Sequence, residues 1–177
     1  MAGLLLGALI ALPAGAVGLG IAEPDTYRTE QYRAPVPDTL TGATVVDTDA
    51  AHALWQSGVA FVDVMPHRSR PKELPEGVLW IDRKRETIPG AIWAPNTGYG
   101  RILPEVDAYL RAVLEQATGG DPATPVVIFC KADCWMSWNA ARRAVLEYGY
   151  SAVHWYPDGT DGWDFADHPL EPVQPAE

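Results

Sequence analysis

Four consecutive apolar residues, Val126-Val127-Ile128-Phe129, lead directly into Cys130. A run with no alternating polar position suits a strand covered on both faces, the situation of a parallel sheet packed between helices. A second run, Val59-Ala-Phe-Val-Asp-Val64, reads as another buried strand, ending at Asp63. Open α/β sheets place their chemistry at the carboxyl ends of their strands. Cys130 stands at such an end, and the chain's other cysteine, Cys134, follows four residues later.

The rest of the pattern agrees with these two strands. Val45-Val46 reads as a short strand, and Thr48 as the cap of a helix carrying Ala51, Leu54 and Trp55 to Gly58. Ile88-Pro89-Gly90-Ala91 marks a turn into a strand at Ile92-Trp93-Ala94. Pro104 suits a first helical position, and Val106, Tyr109, Leu110, Val113, Leu114 and Ala117 recur at helical spacing until Gly119-Gly120. Ala141, Ala144, Val145 and Tyr148 trace the inner face of a helix after the cysteines, with Arg142 and Arg143 read as outward charges. Val153-His154-Trp155 is a further strand, and the residues after it look turn-rich. Strands alternating with helices of about a dozen residues give an α/β fold, a parallel sheet flanked by helices on both faces.

Residues 66–88 read as a long irregular stretch, with six Arg or Lys against four acidic residues in an otherwise acidic chain. Loops of this length are usually functional or mobile. Arg68, Arg70, Arg83 and Arg85 are therefore candidates to line a pocket, against the default of solvated charges.

With 177 residues, 47% hydrophobic, seven Trp and seven Tyr, the chain can bury one core without metal or multiple disulfides. A net charge of -10 leaves no basic stripe to replace the counterions of a phosphate backbone, so no nucleic-acid partner is expected. The first 22 residues carry no charged side chain and read as an export signal cleaved after Ala22, with a retained anchor or a misplaced start as alternatives. The expected organisation is a signal over 1–22, an extended arm over 23–41, a domain over 42–166 and a tail over 167–177. Export leaves no membrane span in the mature chain and places it in the bacterial periplasm, where the cysteines can be oxidised.

Taken in order, Phe-Val-Asp-Val, Ile-Pro-Gly-Ala-Ile, Val-Val-Ile-Phe-Cys before a helix with Asn139-Ala140-Ala141, Tyr148-Gly149-Tyr150 and a glycine-containing turn closed by Trp163 resemble a rhodanese-like domain over roughly residues 42–166. The continuation Cys134-Trp135-Met136-Ser137-Trp138 is similar to the periplasmic rhodanese-like proteins associated with pyrroloquinoline-quinone-dependent alcohol catabolism, known by a CXXCW motif. The resemblance implies a thiolate at Cys130 that takes sulfur from a sulfane donor, holds it as a persulfide and passes it to a thiol acceptor. It also implies a quinoprotein dehydrogenase or its cytochrome c as a partner. Nothing suggests that this chain itself binds the quinone, a haem or a metal, so no cofactor is expected.

The residues of the loop support part of this independently. A cysteine between a strand end and a helix start lies near backbone N–H groups and the positive helix terminus, which favour thiolate. The amides from Lys131 through Ala132, Asp133 and Cys134 to Trp135, with the Lys131 ammonium, are candidates to stabilise the anionic sulfur. Rhodanese loops carry Gly three residues after the cysteine and a cation near the loop's end, where this chain has Asp133 and Trp135-Met136. Asp133 repels thiosulfate and Met136 cannot clamp an anion, so thiosulfate is expected to be a poor donor and phosphatase chemistry is disfavoured. Cys134 is expected to resolve a persulfide or mixed disulfide on Cys130. A structural disulfide and two inert buried thiols are the alternatives. Asp63 is a candidate to orient the loop through its amides, or simply to cap a turn. Trp135 and Trp138 offer an aromatic docking surface if the domain is a binding module rather than an enzyme, or else pack in the core.

Overall fold

The computed structural model describes residues 20–68, 70–81 and 84–177. The expected export signal therefore lies outside the described residues except for 20–22, as does Arg83.

Five parallel strands form the central sheet: β1 (Thr44–Val45), β2 (Ala60–Asp63), β4 (Ile92–Trp93), β5 (Val126–Phe129) and β6 (Val153–Tyr156). Their order is β1-β6-β5-β2-β4. Alternate residues of each central strand serve opposite faces, as the pleat requires. Val62, Val126 and Ile128 face a core with α2 (Pro104–Thr118) and α3 (Trp135–Leu146). Phe61, Val127 and Phe129 face a second core with α1 (Thr48–Gln56) and α4 (Gly159–Phe165). Helices thus cover both faces.

Local sequence accounts for most element ends. Pro104 opens α2, and Gly119 closes it in the left-handed conformation at φ 65°. Capping of α1 differs from expectation: Asp47, one residue earlier than Thr48, accepts from the Ala50 N–H, while Thr48 pairs its hydroxyl with Tyr156. The carboxylate reaches the free amide, and Thr48 serves a tertiary contact instead.

Two regions expected to be irregular are regular. Within 66–88, β3 (Arg85–Thr87) pairs antiparallel with β7 (Glu171–Val173), forming a separate two-stranded ribbon. The turn-rich run after β6 contains α4, whose Trp163 is fully buried. Its two glycines and two aspartates speak against a helix locally, and the burial of Trp163 overrides them.

The first turns of α3 are buried on every side, because an extended arm over residues 20–41 lies across its outer face. Asn139 joins the two. Its carbonyl accepts from the Arg28 N–H, and its amide donates to the carbonyls of Arg28 and Gly98. Arg143 is not an outward charge: it is 3% exposed and donates to the carbonyls of Thr97, Tyr99 and Gly100. Burial of the guanidinium is tolerated because both terminal nitrogens meet carbonyls, Nε faces the Glu147 carboxylate at 3.9 Å, and Tyr27 of the arm covers its face at 4.4 Å.

Candidate functional site

The sheet changes direction between β2 and β5. From β2 the chain goes outward to β4, then crosses through α2 to reach β5 on the other side. The crevice at the carboxyl ends of these two strands is where such folds bind ligands. Asp63 and Phe129 are paired at those ends, so Met65 follows one strand and Cys130 the other.

Three sulfurs meet there. The Cys130 thiol donates to Met65 Sδ at 3.5 Å and also lies within hydrogen-bonding reach of Cys134. Both cysteines are free thiols, 0% and 3% exposed. The turn between them is closed by Asp133 at φ 52°, a left-handed conformation that Asp tolerates better than most side chains. Met65, missed in the sequence, is half-buried. Its only available signal was its place just past the end of the strand neighbouring the cysteine strand.

Burial and the helix start act on the two sulfurs in opposite directions. Burial pushes the Cys130 thiol well above its ordinary value, and the neighbouring Cys134 and Asp63 add to this. Cys134 is brought down to about 7, first by the Cys130 thiol, whose one proton can turn to this sulfur instead of Met65 Sδ, then by the backbone N–H groups of Met136, Ser137 and Lys131, against the effect of burial. These amides act as a favourable field: no cap hydrogen bond of ordinary geometry forms to the Cys134 side chain. The sulfur at the helix start gains the ionising environment, because Cys134 occupies the N-cap of α3 while Cys130 ends a strand inside the core. Cys130, expected at an accessible strand end, is instead fully buried.

Asp63 reaches the loop indirectly. It is fully buried, and its carboxylate accepts from the Met65 N–H at 2.8 Å, Arg85 Nε at 2.7 Å and the Thr87 hydroxyl at 2.7 Å. Burial pushes its carboxyl up, and Arg85, Thr87 and the Met65 amide pull it back. Arg85 in turn donates to the Cys130 carbonyl at 3.3 Å, an oxygen that also accepts from the Thr160 N–H at 3.2 Å. Among the described basic residues of the long segment, Arg85 is the one that touches the cysteine loop. Arg68 is exposed.

The remaining loop residues are held from outside. Lys131 turns its ammonium to Asp161 at 3.5 Å rather than to a sulfur. Gly159 packs so closely under the loop that a Cβ there would stand 2.6 Å from Lys131 Cα. The arm binds the other side: Arg33 donates to the Ala132 carbonyl, Ala34 N–H to the Asp133 carbonyl, and Trp135 N–H to the Tyr32 carbonyl. Trp135 and Trp138 are 4% and 0% exposed, with their indole N–H groups donated to the carbonyls of Pro35 and Thr39. They are core residues that hold the arm, so the exposed aromatic docking surface considered from sequence does not form. Met136 is buried against Gly98, where any side chain would strike the Met136 carbonyl.

Fold and site define a class: a doubly covered parallel sheet presenting a buried cysteine loop at its switch point. The family model for the rhodanese-like domain matches residues 47–166, and the chain belongs to that family. Among solved structures it is similar to the polysulfide-sulfur transferase homodimer from Wolinella succinogenes, at 20% identity over 73% of this chain and 79% of that one, with a TM-score of 0.46. A full-length protein from Lactobacillus plantarum is similar at 17% identity over 73% of this chain and 88% of that one, with a TM-score of 0.44. A variant of EanB in complex with hercynine matches at 25% identity over 80% of this chain, with a TM-score of 0.50. This chain spans 34% of that one's length. No curated protein matches.

Proposed function

We propose that this chain is a sulfur-handling rhodanese-like protein in which Cys134 is the reactive thiolate and Cys130 its resolving thiol. One observation carries the reading: Cys134 occupies the N-cap of α3, beside the buried Cys130 thiol, where the field of the first-turn amides favours its thiolate. A thiolate so placed attacks the terminal sulfur of a sulfane donor. The donor's S–S bond breaks, the donor leaves as a thiolate, and Cys134 becomes a persulfide. An acceptor thiolate that takes the outer sulfur restores Cys134. If instead Cys130 attacks the inner sulfur, it gives up its proton, closes a Cys130–Cys134 disulfide and releases hydrosulfide. Both cysteines being shut from solvent, a donor reaches them only where Met65 or the arm gives way.

The direct test is to load the reduced protein with polysulfide, measure intact mass, and add cyanide. The expected result is a Cys130–Cys134 disulfide in the unsubstituted chain, one added sulfur, lost as thiocyanate, in Cys130→Ser, and no loading in Cys134→Ser. The thiolate absorbance should rise with one thiol's amplitude around pH 7, and that step should vanish in Cys134→Ser. Loading that survives Cys134→Ser but not Cys130→Ser would restore the nucleophile to position 130. No loading in either form, with no ionisation near neutrality, would remove sulfur transfer altogether.

The setting proposed for this chemistry is the periplasm, beside pyrroloquinoline-quinone-dependent alcohol oxidation. Its support is the uncharged first 22 residues and the likeness of Cys134-Trp135-Met136-Ser137-Trp138 to that family. The cysteines here enclose three residues where the motif CXXCW has two, so the likeness rests on the residues after Cys134. Cell fractionation tests the compartment. Binding of the purified protein to a quinoprotein dehydrogenase or its cytochrome c tests the partner, and absence of both outcomes would remove this setting while leaving the sulfur chemistry standing.

A further inference from the structure

We infer that Met65, Cys130 and Cys134 form a three-sulfur site for a soft monovalent cation, Cu(I). This goes beyond sulfur transfer and does not rest on it, although it uses the same two cysteines. The three ligands come from two adjacent strand ends and a helix start, so the fold, rather than a short sequence motif, brings them together. Metal–thiolate bonds of about 2.3 Å arranged trigonally place sulfurs about 4 Å apart. The Cys130–Met65 separation of 3.5 Å is within a small rotamer adjustment of that, and Met is the side chain best able to make it.

The donor set selects the ion. Thiolate and thioether favour Cu(I), whereas zinc takes four ligands from thiolate, imidazole and carboxylate. Among the described residues no group of three or more His, Cys, Asp or Glu side chains is placed to hold a metal. Asp63, the nearest carboxylate, is already occupied by Arg85, Thr87 and the Met65 amide. Coordination requires Cys130 to release its proton to solvent, since only the thiolate is a ligand. Two thiolates and one Cu(I) leave a single negative charge, which the amides at the start of α3 favour and which the Arg85 guanidinium offsets against its partner Asp63. Burial of both cysteines keeps water from the metal, while half-buried Met65 gives the side from which an ion arrives.

The test is anaerobic titration of the full reduced chain with Cu(I) against the chromophoric chelator bicinchoninate, followed by X-ray absorption. One equivalent should be withdrawn from the chelator into a shell of three sulfurs. Met65→Leu should leave two sulfurs and weaken binding at least tenfold, and Cys134→Ser should weaken it further. Leu and Met are close in volume, a swap that usually costs less than about 1.5 kcal/mol, and circular dichroism of the variant checks that it has folded. No withdrawal of Cu(I), or a two-sulfur shell that Met65→Leu leaves unchanged, overturns the site. The polysulfide reaction of the unsubstituted protein is read separately, so failure of metal binding and failure of sulfur transfer are distinguishable.

Discussion

The loop after β5 and the segment after β2 leave neighbouring strands at the same end of the sheet, and they are built in opposite ways. The first is a short turn between two buried cysteines, its own tip at Asp133 exposed but tied at nearly every residue: to the arm by Ala132, Asp133 and Trp135, and to α4 through the Cys130 carbonyl. The second runs from Met65 to Lys84, and its described residues are largely exposed, with Val78, Leu79 and Ile81 at 50%, 88% and 78%. Among those described residues it is the start, Met65, that enters the site, with Arg85 just beyond the finish. Rigidity is concentrated where charge on sulfur must be met by fixed dipoles, and the intervening chain is free to differ.

The largest expected effect lies at the joint between the two regions. Asp63→Ala leaves the Arg85 guanidinium, 13% exposed, without its carboxylate. Removing one partner of a buried pair costs about 3–5 kcal/mol, because the remaining charge stays desolvated. The urea midpoint should fall accordingly, and the thiolate step at Cys134 should move, since Arg85 grips the Cys130 carbonyl. A loss under about 1 kcal/mol would mean that the two loops are held independently.

A smaller effect tests how firmly the arm pins the short loop. Ala34→Pro removes the N–H that meets the Asp133 carbonyl, at 3.1 Å, adds a ring and restricts the backbone of Arg33. Asp133 is exposed, so water can reach the freed carbonyl, and the loss should be about 1 kcal/mol. Hydrogen exchange should quicken at the Trp135 amide, which depends on the same arm segment through Tyr32. Unchanged exchange there would show that the loop holds its shape without the arm, and that the contrast between the regions comes from burial alone.

How much of this was legible beforehand follows from where the determinants sit. β5 was readable to the residue because four apolar side chains in a row suit a strand covered on both faces. The N-terminus of α2 was readable from Pro104 and its C-terminus from Gly119. The β3–β7 ribbon was not, because its two strands lie far apart in sequence and Arg85-Glu86-Thr87 has no apolar alternation to announce it. The same physics governs the site. Cys130 and Cys134 announce themselves by type and spacing, but their ionisation depends on which one caps α3 and which lies within the core. Met65 and Asn139 acquire meaning only through partners tens of residues away. Arg143 was misplaced for a related reason: a helix charge faces solvent unless another segment covers it, and the covering arm shows no periodic pattern.

The smallest expected effect concerns the exposed segment itself. Leu79→Ser exchanges a side chain that is 88% exposed, so almost no apolar area returns to water and no cavity opens. Surface changes of this kind stay within about 0.5 kcal/mol. The urea midpoint and the thiolate titration should both be unchanged, because the residue lies between the two anchored ends and touches neither. A loss above 1 kcal/mol would require Leu79 to be covered in solution. If that loss faded on dilution, the cover would be a second copy of the chain, and the exposed segment would have to be counted as an interface rather than as the free half of the pair.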